Sequence, residues 1–281
     1  MAILTALGIL GAIGWLLIAK KPVVNLDVFR DKNFAMGSLC IAATGAVLYA
    51  GAVVIPLFTQ TILNYTALWA GLVLSPGAFA VILLIPIIAT LMRVVQTRFI
   101  VAAGFFFMGS AFVYSSRLAL NIDFETLVIM RAAQTAGLAF LFVPISTIAY
   151  ATLPRELNGD ATALFVMLRN VGGSIGISVA DAMITERTQV HQSYLARWAS
   201  PFHQPFNELI ARSERALTAM GRAASAVHNM AVGQAYRAFR VQAAVLAYSD
   251  VFLLAAVVAF AVVPFCFFLS GKKGSGGGPA H

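Results

Sequence analysis

The sequence predicts an all-α, polytopic membrane protein with about seven transmembrane helices. Hydrophobic residues make up 60% of the chain, charged residues make up only 11%, and the mean hydropathy is +0.87. Soluble domains contain about 25% charged residues, so this composition excludes an ordinary soluble domain. Several apolar runs also reach the roughly 18 residues that a helix needs to cross a bilayer.

The first apolar run covers residues 1–19 and is followed by Lys20 and Lys21. A secretory signal peptide carries its positive charge before the apolar run, so this order favours a membrane helix with its amino terminus outside. Residues 20–33 connect it to the next helix and are rich in Lys and Arg, which predicts a cytoplasmic connector. Six further spans are predicted at residues 34–58, 66–92, 99–118, 124–150, 160–184 and 242–270.

The connections between these spans differ in charge. Successive spans end on opposite sides of the membrane, and the short turns on one side contain a single basic residue, Arg117. Positive residues gather in cytoplasmic loops, so the richer face is predicted to be cytoplasmic and explains much of the net charge of +8. No nucleic-acid-binding motif is present, and no nucleic-acid partner is expected. The basic residues of the cytoplasmic face are Lys20, Lys21, Arg30, Lys32, Arg93, Arg98, Arg155, Lys272 and Lys273.

Residues 185–241 interrupt the pattern with a long polar segment, which the alternation of spans predicts to be an external loop. Its Leu, Ile, Ala and Arg residues recur at helical spacing in residues 207–220 and 224–240, which predicts short surface helices. The Gly-rich residues 271–281 are expected to form a flexible cytoplasmic tail.

The span at residues 160–184 carries Arg169 near its middle. A charge at that depth costs about 2.5–3.5 kcal/mol on insertion scales, so it normally faces a bundle interior or a wet cavity. Gly172, Gly173 and Gly176 lie on roughly the same side, and glycines at this spacing let another helix approach closely. We expect this helix face to be both packed and polar. Arg169 then serves either a transport cavity or the structure around it, with backbone carbonyls, Asn170 or Gln134 as its candidate partners.

The span at residues 124–150 offers a second polar group. Arg131 and Gln134 share one face of the predicted helix, and Pro144 loosens it further along. Arg131 is a candidate cavity residue, but it lies about two turns from the outer end and could instead extend towards the membrane surface. Asp181 is a candidate for titration or for pairing with a buried arginine; the alternative is an acid near the outer surface.

No pattern of catalytic or metal-binding residues is found. His191, His203 and His228 lie in one polar segment at spacings unlike those of a zinc site. The glycines of residues 172–176 are accompanied by neither the strand nor the lysine of a phosphate loop. We therefore expect no enzyme activity, no cofactor and no metal.

Four segments resemble known sequence patterns in the right order along the chain. They are residues 22–34 (PVVNLDVFRDKNF), 60–77 (QTILNYTALWAGLVLSPG), 168–176 (LRNVGGSIG) and 242–252 (QAAVLAYSDVF). Together they resemble the C-terminal half of a fourteen-helix major facilitator drug:proton antiporter of the EmrB/QacA type. Residues 89–98 depart from that family because they keep arginines but lack the usual glycine and acid.

The resemblance implies one six-helix half of a major facilitator fold over residues 34–270, preceded at residues 1–19 by the second of two extra central helices. It implies export of hydrophobic or amphipathic toxic compounds, driven by protons, from the bacterial inner membrane. It also implies two partners, an N-terminal transporter half that this sequence lacks and a periplasmic adaptor. The alternative is a non-transporting membrane adaptor or sensor built from the same helices.

Overall fold

The computed structural model describes residues 26–197 and 204–269. Within these ranges it contains seven α-helices and two short 3₁₀ turns but no strand, so the predicted all-α class is confirmed. The predicted helix at residues 1–19, part of the connector and the tail at residues 271–281 lie outside the described residues. The helices are α1 (Lys32–Thr61), α2 (Ala67–Val94), α3 (Thr97–Ser115), α4 (Phe124–Tyr150), α5 (Asn158–Ala196), α6 (Gln204–Ala219) and α7 (Ala224–Cys266).

All of these helices except α6 are long and apolar enough to cross a membrane. The N-terminal end of α1 is fixed by a cap, because the Asp31 side chain accepts a hydrogen bond of 2.9 Å from the backbone N–H of Phe34. Thr152, just beyond α4, donates to the Asp31 carboxylate at 2.7 Å and accepts from the Asn33 amide at 3.2 Å. This network joins the beginning of α1 to the end of α4.

The spans pack in two layers. Helices α2, α4, α1 and α5 form a row in that order, and α3 and α7 lie behind it, with α3 against α4 and α7 against α1 and α5. About half of the most apolar part of α1, α3, α4 and α7 is buried, compared with 17% for α2 and 28% for α5. The two ends of the row are therefore exposed, and the face opposite α3 and α7 has no covering helix among the described residues.

The predicted external loop is largely helical. α5 continues past residue 184 to Ala196, and the residues predicted as a separate helix at 224–240 are the first part of α7. α5 and α7 are therefore about 58 Å and 64 Å long, roughly twice the apolar thickness of a bilayer. Extending a helix already formed adds one hydrogen bond per residue without a new nucleus, and this segment is rich in the helix formers Ala, Arg and Gln.

Helix α6 is held against the extended part of α7. Leu217 of α6 is buried in a cluster with Val227 and Ala231 of α7. Beside this cluster, His228 Nδ1 lies 2.7 Å from Glu214 Oε1. The extension of α5 and α7 thus carries α6 in a small core of its own, separate from that of the bundle.

Candidate functional site

The glycines of α5 form its contact with α1. Gly172 and Gly176 lie against the backbone of Ala42 and Ala46 in α1, and Gly173 lies against the ring of an α1 tyrosine. A Cβ atom on any of these glycines would overlap its neighbour. The two helices can approach this closely because glycines of α5 lie where they meet the α1 backbone and a tyrosine ring.

Arg169 lies at the edge of this seam and is partly buried. Its backbone carbonyl and its Cγ lie against Gly45 of α1, where no side chain stands in the way. The guanidinium group extends to α4, and its Cζ lies 5.7 Å from the centroid of the Phe142 ring, within cation–π range. Its Nε is buried without a hydrogen-bond partner in the described part of the chain. The partners expected from the sequence do not bind it, because Asn170 is exposed and Gln134 bonds elsewhere.

Arg131 and Gln134 form a buried polar group between α4, α1 and α3. Arg131 is 7% exposed and donates from Nη1 to Gln134 Oε1 at 3.3 Å, while Gln134 donates from Nε2 to Ser115 Oγ of α3 at 2.8 Å. Gly51 of α1 leaves room for both side chains. The Arg131 side chain points into the bundle and not towards the membrane surface. Pro144 is buried further along α4, which remains one continuous helix.

The open face of the row carries the other candidate residues. Asn170 and Asp181 are exposed and lie about three turns apart on the same side of α5. All four helices of the row also expose large apolar side chains. On α5, Val166 is exposed one turn before Asn170, whereas Ile175 lines a separate gap between α5, α1 and α7. A mostly apolar surface with a few polar groups is suited to amphipathic ligands.

One ionic cluster was missed by sequence reasoning. Asp250 of α7 lies 2.9 Å from His191 Nε2 and 3.8 Å from Arg187 Nε, both on the extended part of α5. The sequence suggests only a helix cap or an interfacial acid at Asp250. The contact exists because α5 continues as a helix beyond its apolar span. It could not be predicted from sequence, because no local sequence pattern links residues so far apart in the chain.

The cysteines and histidines among the described residues do not form a metal site. Cys40 and Cys266 are free and buried. Over residues 26–197 and 204–269, no group of three or more His, Cys, Asp or Glu side chains is arranged to hold a metal ion.

The chain is similar to known transport proteins. The model of the Major Facilitator Superfamily matches residues 1–177. The multidrug export protein EmrB of Haemophilus influenzae is 29% identical over 72% of this chain and 40% of the relative. The fatty acid resistance protein FarB of Neisseria gonorrhoeae is 26% identical over 94% and 50%. EmrB of Escherichia coli K12 is 25% identical over 99% and 53%.

The chain spans about half the length of the curated relatives it matches. This share agrees with the resemblance to one transporter half, and the row of four helices backed by two provides a six-helix unit. The family match covers well over half of the chain and coincides with membrane-spanning helices for most of its described part. The chain is therefore a multi-pass membrane protein and belongs to the Major Facilitator Superfamily.

Proposed function

We propose that the chain is the C-terminal half of a proton-coupled exporter of hydrophobic or amphipathic toxic compounds, and that it works only together with an N-terminal transporter half. The observation that carries this proposal is the open face of the row formed by α2, α4, α1 and α5. Large exposed apolar surfaces mark contacts with a membrane or another protein. Secondary transporters bind their substrates near the midplane between two such repeats.

The polar groups near this face support a substrate of mixed character. Arg169 is partly exposed, its guanidinium group lies beside the Phe142 ring, and Asn170 is exposed on the same helix. An amphipathic compound could place its apolar part on the aliphatic surface and its polar part near these groups. Arg131 and Gln134 lie behind the row, so we propose that they support the shape of the face without contacting the substrate.

The distribution of acids supports a coupling carboxylate in the other half. An acid that exchanges its proton for substrate must become accessible from both sides of the membrane in turn. No Asp or Glu is buried in the described residues. Asp181 is exposed, and Asp250 is already paired with His191 and Arg187. We therefore propose that the main proton site belongs to the N-terminal half.

The proposed location is the bacterial inner membrane, with residues 20–33 in the cytoplasm and the extended parts of α5 and α7 outside. The basic cytoplasmic connections support this orientation. The extended parts, together with α6, would then be the surface available to a periplasmic adaptor.

To test this orientation, Asp27→Cys and Thr218→Cys are made separately after Cys40 and Cys266 are replaced by alanine. An impermeant thiol reagent should label position 218 in intact cells and position 27 only after permeabilisation. Labelling of position 27 in intact cells would contradict the orientation.

Export is tested by measuring accumulation of an uncharged fluorescent amphipathic compound in cells that make this chain alone, an N-terminal transporter half alone, or both. We expect reduced accumulation only when both are present, and copurification of the two proteins. Export by this chain alone would contradict the need for a second half. Absence of export in all cells, with a different membrane protein copurifying, would favour the non-transporting adaptor.

A further inference from the structure

A cleft with a volume of about 400 Å³ opens between the extended parts of α5 and α7. It lies outside the bundle seam and away from the open face of the row. Thr188 and Gln192 line it from α5, Arg237 and Arg240 line it from α7, and Ile62 closes it at the end of α1.

The cleft is positively charged and its charge is not compensated. Arg237 and Arg240 are one turn apart on α7, and no acidic side chain lines the cleft. Neither arginine forms an ion pair with any described residue. Asp250, the acid of the α5–α7 ionic cluster described above, is already paired with His191 at 2.9 Å. The two guanidinium groups therefore remain available to an anion.

The walls of the cleft change from polar to apolar. Arg237 and Arg240 belong to the polar part of α7, whereas Val241 and Ala244 lie where its apolar span begins. Ile62 marks the end of the α1 span. The cleft therefore lies at the level where the apolar helices meet water, which is also the level of lipid headgroups. Tyr236 adds an amphipathic ring of the kind common at this depth.

From these features we infer that the cleft binds the oxyanion of an anionic phospholipid, with the phosphate at Arg237 and Arg240 and the beginning of an acyl chain along Ile62 and Ala244. The planar donor fork of arginine matches a phosphate in a bidentate arrangement. Gln192 makes no hydrogen bond to a described residue, so its amide is available as an additional donor. This inference does not depend on export, because it concerns only the chain and its lipid.

The test measures binding of dioleoylphosphatidylglycerol to the purified full chain in a neutral detergent. Dioleoylphosphatidylcholine and free glycerol 3-phosphate are measured beside it. We expect Arg237→Gln combined with Arg240→Gln to weaken binding of the anionic lipid about tenfold, as suits partly solvated charge pairs. The matched control, Arg212→Gln combined with Arg222→Gln, removes the same charge from exposed positions outside the cleft and should leave binding unchanged.

A second variant separates a shaped site from diffuse surface charge. Gly233 lines the cleft, and a Cβ atom added there meets no atom within 4 Å, so Gly233→Leu should fold and fill the space without altering charge. We expect weaker lipid binding, whereas Gly71→Leu, at an equally open position on α2, should have no effect. Unchanged binding in Gly233→Leu, or equal losses in both arginine pairs, would overturn the proposal. Equal affinity for glycerol 3-phosphate would overturn the assignment to a lipid.

Discussion

Replacing Gln134 by leucine should destabilise the bundle, because Gln134 links a buried charge to a neighbouring helix. Its Oε1 accepts from Arg131 Nη1 at 3.3 Å, and its Nε2 donates to Ser115 Oγ at 2.8 Å. Gln134 itself is 2% exposed and Arg131 is 7% exposed, so water cannot readily replace the lost bonds. The Nε of Arg131 already has no partner among the described residues.

The magnitude follows from the two bonds. A hydrogen bond to a charged group contributes about 1.5–3 kcal/mol. A polar bond between membrane helices averages about 0.6 kcal/mol and reaches about 1.7 kcal/mol. Gln134→Leu should therefore cost about 2–5 kcal/mol of unfolding free energy. At an unfolding entropy of about 2.1 cal/mol/K per residue, such a loss lowers the Tm of a chain of 281 residues by roughly 3–8 °C.

The measurement is thermal unfolding of the purified protein in detergent, followed by tryptophan fluorescence. Gln60→Leu is the matched control, because Gln60 is exposed near the C-terminal end of α1. Gln134→Glu should lie much closer to the unchanged protein than Gln134→Leu, since a carboxylate still accepts from Arg131 and also compensates its charge. Equal Tm values for Gln134→Leu and Gln60→Leu would refute the reasoning.

Three further predictions concern α5. Arg169→Lys should retain part of the export activity of a reconstituted assembly, whereas Arg169→Ala should abolish it. Normal membrane levels of the alanine variant would indicate a cavity role, and reduced levels would indicate a structural role. Wild-type export by the alanine variant would exclude both roles. Gly176→Leu should lower membrane levels by forcing α5 away from α1, whereas Gly71→Leu should not, as quantitative immunoblotting can check. Asp181→Asn should leave proton-driven export largely intact because the side chain is exposed, and loss of coupling at normal expression would contradict this.

The membrane helices could be predicted well because burial in lipid imposes a simple requirement on sequence. The predicted span at residues 124–150 has the same limits as α4. The spacing of Gly172 and Gly176 also indicated a close helix contact, because only small residues permit one. The glycine spacing could not identify the residues on the other helix. Ala42 and Ala46 of α1 form that side of the contact, and alanines at this spacing are not distinctive in a membrane helix.

Prediction was weaker where apolar character ends before the helix does. Hydropathy marks the part of α5 that can lie in lipid, so it placed the end of the span at residue 184, although the helix continues to Ala196. The same error hid the contact between His191 and Asp250, which depends on the helical extension. Partners of Arg169 and Gln134 were likewise beyond reach, because tertiary packing and not periodicity brings Phe142 and Ser115 beside them.

The unbroken course of α7 has a mechanical consequence. The part of the helix before residue 242 is a lever arm about 27 Å long. A tilt of roughly 10° within the bilayer would therefore displace its far end by about 5 Å. Because Glu214 and the buried Leu217 attach α6 to this arm, α6 would move with it. A small reorientation of the bundle is thus amplified into a larger movement at the water-exposed tip.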